Sequence, residues 1–269
     1  MYKNILMILG MPRSGTSWLG QILDSSPEVR FRNSPLFSYE FKNQVDKQSS
    51  VIEWKKLFSD SYESENEFMS QSIRRLQGHY PAFEVKDTMP GTLVIKDTRF
   101  HELTARLLEL FDELKVIYLV RNPCGAINSW LNSAGEFPLS ADPFSEWRTG
   151  SCRKPGIGEY WGFDDWKKVA NQYLILEERF SERVLIQQYE DIVDDAENTT
   201  IRLFKFCGLE VTEQTQRFLR ISQCEHQDNQ YAVFKSPNVA TAWKNELSPQ
   251  IREQIESEII GSPLERFWQ

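Results

Sequence analysis

The chain has 269 residues, 40% of them hydrophobic and 26% charged, with a formal net charge of −8. That length supports a large buried core, and the acidic balance excludes general nucleic-acid binding, which needs a basic surface. No apolar run approaches the length of a membrane span, and the opening "NILMILG" is too short for a signal peptide, so a cytoplasmic protein without a membrane span is expected.

Cys124, Cys152, Cys207 and Cys224 are scattered, with no C-x-x-C pair and no histidine at zinc-ligand spacing. They read as reduced structural thiols, and no metal site is expected. No internal repeat, low-complexity run or long linker divides the chain, so one domain over 1–269 is expected.

In chain order, Asn4–Leu9 is a short apolar strand, followed by a glycine loop and a helix over about Ser14 to Ser25 whose Trp18, Leu19, Ile22 and Leu23 share one face. "VRF" reads as a second strand. The segment from Lys42 to Gly78 reads as mostly helical and polar, anchored by Trp54 and Leu57, and suits a cap beside a site. Thr92–Asp97 is a β-branched strand, "ELTARLLELFDEL" has helical spacing, and "KVIYLVRNP" is a strand stopped by Asn122 and Pro123. "GAINSWLNS" opens the next helix. Gly135 to Gly162, rich in Pro, Gly and aromatic residues, reads as a surface loop or lid. "FDDWKKVANQYLILEERF" is an amphipathic helix, "RVLIQQYED" a strand, and "NTTIRLFKFCGL" a helix ending at Gly208. The C-terminal third is less regular, with a final helix near Pro249 to Ile260. Strands alternating with helices predict an α/β fold with a mainly parallel sheet flanked by helices, and ligands in such sheets bind beyond the C-terminal strand ends.

Gly10 to Ser17 has the outline of a phosphate loop, but Thr16 stands where a Walker loop has its lysine. A strand–glycine loop–helix unit aims backbone N–H groups at an anion, and the helix dipole adds positive potential. Arg13 inside the loop supplies a cation whose fork holds two anion oxygens. The reading is a metal-independent phosphate cradle. Further on, "YLVRNPCGAINSW" places Arg121 at a strand end and Ser129 in the following helix, suited to a second phosphate.

Together these segments resemble the sulfotransferase family, whose members transfer a sulfuryl group from 3′-phosphoadenosine 5′-phosphosulfate (PAPS), leaving PAP. Pro12-Arg13-Ser14-Gly15-Thr16-Ser17-Trp18 is similar to the P-K-S-G-T-T-W motif, with Arg for Lys as in carbohydrate-modifying branches. The resemblance implies a P-loop-type fold and a 5′-phosphosulfate site in that loop. Arg121-Asn122-Pro123 with Ser129 matches R-N-P-x-x-x-x-x-S, which implies a 3′-phosphate site. "QQYED" resembles the family's Y-E-D segment and implies that Tyr189 lies near the adenosine. "FKSPNVATAWKNEL" resembles F-x-R-K-G-x-x-G-x-W-K through Phe234, Trp243 and Lys244, while Ser236-Pro237-Asn238 stand in for Arg-Lys-Gly, so Lys235 or Ser236 is expected to contribute there.

Sulfuryl transfer resembles phosphoryl transfer: an acceptor hydroxyl attacks in line, and placed cations stabilise the spread charge. Arg13 is the natural cation, and Lys96, placed like the lysine of the family's K-T-H-L-P segment, serves the transferring group or leaving phosphate. The acceptor proton needs a base. The K-T-H-L-P histidine position holds Thr98, with His101 three residues on; the carbohydrate-branch glutamate position falls in Asn33-Ser34-Pro35, with Glu40 the nearest carboxylate. His101 and Glu40 lead, with Asp97 and His79 behind. The arginine loop and the aromatic lid (Phe137, Phe144, Trp147, Tyr160, Trp161) lean towards a hydroxyl on a small-molecule, sugar or lipid-like acceptor. A P-loop nucleotide kinase and an inactive PAP-binding protein of the same fold are the competing readings.

Overall fold

The computed structural model describes residues 2–225, 227, 233–234 and 237–268. Five strands, β1 (Asn4–Leu9), β2 (Val29–Asn33), β3 (Thr92–Asp97), β4 (Leu114–Val120) and β5 (Val184–Gln188), form one sheet in the order β2-β3-β1-β4-β5. Every neighbouring pair is parallel, so the expected α/β class with a parallel sheet flanked by helices holds. Both faces of such a sheet are covered, which is why the strands read as unbroken apolar runs. Leu6, Ile8, Val94, Ile117 and Leu119 pack on one side with Leu19, Ile22 and Leu23 of helix α1 (Thr16–Asp24). Ile5, Leu9, Leu93, Ile95, Val116 and Tyr118 pack on the other with Trp54, Leu57 and Phe58 of helix α2 (Val51–Glu63).

The register decides what reaches the functional edge. Leu9 lies opposite Asp97 and Tyr118, Asn33 opposite Lys96, and Val120 opposite Gln188. The C-terminal strand ends are therefore level, and the loop after β1, Lys96 of β3, Arg121 after β4 and Tyr189 after β5 share one rim.

The segment expected to cap the site contains α2 and two short helices, Glu67–Ser70 and Ser72–Leu76. Ser50 and Glu53 start α2 with a reciprocal capping box. Its far end is held by Arg32, whose buried guanidinium donates to the carbonyls of Ser61 (2.6 Å), Tyr62 (2.8 Å) and Ser64 (2.8 Å). Those are carbonyls that a helix end leaves unsatisfied.

Three expectations are corrected. The 135–162 segment is not simply a surface loop: Phe137, Trp147, Tyr160 and Trp161 are buried and join the core, while Phe144 stays exposed. β5 stops at Gln188, and Tyr189 starts a short helix, Tyr189–Asp194. Part of the supposedly irregular C-terminal third is the helix Glu213–Cys224, whose buried Thr215, Phe218, Leu219 and Ser222 keep helical spacing, but half of that face is polar, so its apolar content is low.

Candidate active site

The loop after β1 is shaped by two residues in the left-handed region, Arg13 (φ 70°) and Gly15 (φ 91°). A non-glycine residue there is uncommon and marks a backbone held by its surroundings. Gly15 caps α1 without a side chain, leaving the first amides of the helix facing the cavity. A Cβ on Gly15 would lie 2.5 Å from Cδ2 of Tyr189, and one on Gly10 would lie 2.5 Å from the carbonyl oxygen of Leu119. Both glycines are required by close approach. Thr16 is buried, so its side chain offers no substitute for a Walker lysine.

Arg13, Ser129 and Arg121 meet although they lie far apart in sequence. Nε of Arg13 donates to Oγ of Ser129 at 3.2 Å, and Nη1 of Arg121 donates to the carbonyl of Arg13 at 3.2 Å. Nη2 of Arg121 donates to the carbonyl of Val239 at 2.7 Å, and its guanidinium lies 4.9 Å from the Tyr189 ring centroid. Asn122 caps the helix Pro123–Leu131, accepting from the amides of Cys124 and Gly125, with Pro123 preset at its first position. That cap fixes the direction in which Ser129 is presented. Trp18 donates from Nε1 to Oγ of Ser222 (3.0 Å) and meets Tyr189 edge to face at 6.1 Å. The two rings make an aromatic corner beside the arginines.

Two buried polar atoms here, Oγ of Ser14 and Nε of Arg121, have no hydrogen-bond partner among the described residues. Such groups are costly unless something polar reaches them. With the glycine cradle and the loop amides, they fit a ligand carrying two separated anionic groups.

Lys96 is 9% exposed and donates to Oδ1 of Asn33 at 3.3 Å. Burial pushes its amine down to about 8, against an opposing pull from Asp97. Asp97 is itself a structural anchor: its Oδ1 accepts from the amides of Thr98 (2.7 Å) and Arg99 (2.9 Å) and from Oγ of Ser34 (3.2 Å).

Arg13, Asn33, Lys96, Arg121 and Ser129 line a cavity of about 400 Å³ that also collects Gly15, Ser17, Trp18, Tyr189 and the side chains of Arg74, Arg99, Arg153 and Glu136. Arg99 is paired with Glu159 at 2.9 Å and stacked on Phe37 at 3.8 Å. In a chain of net charge −8, six cationic side chains and one carboxylate at a single cavity concentrate positive potential where an anion would enter.

Several expected site residues lie elsewhere. His101 is fully buried and does not line the cavity. Its ring is packed among Tyr118, Tyr160 and Tyr173, with Nδ1 3.5 Å from the Tyr173 hydroxyl. Burial drives it down to about 3, so it is neutral at ordinary pH and screened from any substrate. Glu40 is exposed and accepts from Oγ of Ser64 at 2.7 Å, outside the cavity. Asp97 is occupied as described, and His79 does not line the cavity. None of the four expected bases lines the cavity. Trp243 is buried beside Gly125 and Trp268, and Lys244 is exposed; neither lines the cavity. Lys235 and Ser236 lie outside the described residues. The C-terminal segment touches the site through the carbonyl of Val239, a contact without a side-chain signature. Arg74, Arg99, Arg153 and Glu136 were invisible to motif reasoning because they sit on insertions whose spacing carries no repeat.

Among the described residues no group of three or more His, Cys, Asp or Glu is arranged to hold a metal, and no helix is long and apolar enough to cross a membrane.

A family model described as the sulfotransferase family matches residues 6–213. No curated relative matches the chain by sequence. Among solved structures, mouse sulfotransferase SULT7A1 complexed with PAP is similar over 99% of this chain and 88% of its own, at 14% identity and a TM-score of 0.58. The sulfotransferase domain of the Synechococcus PCC 7002 olefin synthase matches over 97% of this chain and 96% of its own, at 16% identity and a TM-score of 0.53. Retinol dehydratase in complex with androsterone and PAP matches over 96% and 80%, at 13% identity and a TM-score of 0.52.

Proposed function

This chain belongs to the sulfotransferase family, and from that premise we propose that it transfers a sulfuryl group from PAPS to a hydroxyl of a carbohydrate or other alcohol. The observation that carries the reading is the junction of Arg13, Ser129 and Arg121 at the mouth of the Gly15 loop. Two anion sites adjoin there, as a donor with both a 5′-phosphosulfate and a 3′-phosphate needs. The loop amides of 14–18 and Arg13 hold the 5′ end, and Arg121 with Ser129 holds the 3′-phosphate. Trp18 and Tyr189 flank the adenosine. PAPS supplies an activated sulfuryl group whose bond to the 5′-phosphate breaks as the acceptor oxygen attacks.

Arg13 and Lys96 stabilise charge that gathers on the transferring group and leaving phosphate. The sheet order sets the directions. Arg13, Arg121 and Tyr189 follow β1, β4 and β5, whereas Lys96, Asn33 and Arg99 belong to β3, β2 and their ends. The acceptor therefore approaches from the β2–β3 side, between the aromatic rings of Phe37, Phe68 and Trp161. Aromatic faces among hydrogen-bonding side chains suit a hydroxyl-rich or partly apolar acceptor.

The direct test is calorimetry with chelator present. PAP is expected to bind on the order of a hundredfold more tightly than AMP, about 2.7 kcal/mol, because only PAP engages Arg121 and Ser129 with its 3′-phosphate. Equal affinities, or a metal requirement, would remove the reading.

Lys96 gives a second, pH-dependent test. In the free protein its pKa is lowered to about 8, so the amine loses its charge as pH rises through that value. A bound anion favours the charged form and pulls the pKa back up. PAP affinity should therefore fall above about pH 8, and binding near pH 9 should take up protons. Calorimetry in buffers of different ionisation enthalpy reads that uptake directly, and Lys96→Met should abolish it.

A further inference from the structure

A base must remove the acceptor proton, and the residues expected for that role are turned away from the cavity or engaged elsewhere. Among the described residues lining the cavity, Glu136 is the one Asp, Glu or His. Resting on the sulfuryl-transfer reading, we propose that Glu136 is the general base of this enzyme and that Arg153 is its positioning residue.

The placement is built. Glu136 follows the same helix, Pro123–Leu131, that presents Ser129 to the donor side. Its amide donates to the carbonyl of Ser133 at 2.9 Å, and Nε1 of the buried Trp130 donates to its carbonyl at 3.4 Å. Its side chain is 18% exposed, and Oε2 accepts from Nη2 of Arg153 at 2.8 Å. The Arg153 guanidinium in turn lies 5.8 Å from the Trp161 ring centroid. Trp161 is buried against Trp130, so the ion pair is fixed by the two core tryptophans. Glu136 is also among the charges that act on Lys96, which places it in electrostatic reach of the lysine assigned to the reacting group.

The step balances as follows. The Glu136 carboxylate takes the proton of the acceptor hydroxyl while the acceptor oxygen bonds to sulfur. The bond from sulfur to the 5′-phosphate oxygen breaks with its electron pair on the phosphate, and PAP departs with that charge held by Arg13 and Lys96. Glu136 then gives its proton to water. Arg153 keeps the carboxylate aimed through its 2.8 Å hydrogen bond, and takes no proton itself.

The experiment uses the full chain with radiolabelled PAPS and two acceptors: octyl glucoside, whose hydroxyls need a base, and 4-nitrophenol at mildly alkaline pH, where it is already ionised. Glu136→Gln is expected to lower transfer to the glucoside by about 10²–10⁴-fold, while transfer to 4-nitrophenolate and PAP affinity change by less than about threefold on that same argument. Arg153→Gln should show the same split, smaller, and Arg153→Lys should restore part of it. Loss of both transfers in equal measure, or retention of both, overturns the proposal. So does a glucoside rate that rises with pH through about 8 in Glu136→Gln, which would make the uncharged Lys96 amine the base. If the wild type turns over neither acceptor, PAPS hydrolysis by water gives the same comparison, and an unchanged rate in Glu136→Gln overturns the assignment. Failure of the wild type to bind PAP instead sinks the donor site, and the base with it.

Discussion

Gly15→Ala is expected to abolish measurable PAP binding, weakening it on the order of a hundredfold or more. Two costs act together. Gly15 sits at φ 91°, where any L side chain is strained by about 1–2 kcal/mol. Its new Cβ would also stand 2.5 Å from Cδ2 and 2.7 Å from Cε2 of Tyr189, which must move. Tyr189 carries the guanidinium of Arg121 on its face, so the displaced ring disturbs the proposed 3′-phosphate site from the side of the proposed 5′ site. Gly78→Ala is the control. Gly78 has φ 73°, but a Cβ there meets nothing within 4 Å, so it bears the backbone strain alone. Both variants should melt below the wild type, and only Gly15→Ala should lose PAP in calorimetry. If both bind PAP normally, the cradle is not the donor site.

Removing the Arg13 side chain should lower kcat by about a hundredfold or more, with a smaller effect on PAP affinity. The replacement of choice is glycine, because Arg13 has φ 70° and glycine keeps that conformation without strain. On the proposed reading the guanidinium faces charge that changes during transfer, so its loss is felt most in the transition state. Arg121→Ala should do the reverse, weakening PAP binding and leaving kcat closer to wild type, since the 3′-phosphate is equally charged before and after reaction. Steady-state kinetics with PAP inhibition constants separate the two. The opposite pattern would mean that the two cations exchange roles.

The parallel sheet was legible because strands buried on both faces leave unbroken apolar runs: β1 and β3 fall where "NILMIL" and "TLVIKD" put them. The glycine loop and Arg121 were legible because their chemistry is local to one strand end each. His101 shows how a motif distance misleads. Phe100 has φ 55° and reverses the chain after β3, so the next side chain turns inward. The signal was present: His101, Thr104, Leu107, Leu108 and Phe111 are all buried, and their spacing marks one face of a helix. A histidine at the head of such a stripe belongs to the core. Glu136 had no corresponding signal. Its position depends on Arg153, Trp130 and Trp161 closing a loop back on itself, and that tertiary contact leaves no periodicity to read.

The order β2-β3-β1-β4-β5 also separates two kinds of heritable change. On the proposed reading, nucleotide recognition is written on β1, β4, β5 and the helices that follow them, all close to fixed strand ends. Acceptor recognition is written on the connection 34–91 between β2 and β3 and on 132–161, both of which join elements whose ends are already held by the sheet. Length and sequence in those two insertions can drift without shifting the glycine loop or Arg121. Exchanging them between relatives should change which hydroxyl is sulfated while the appetite for PAPS stays the same, so the fold can acquire new substrates by editing two connections while the strand ends stay in place.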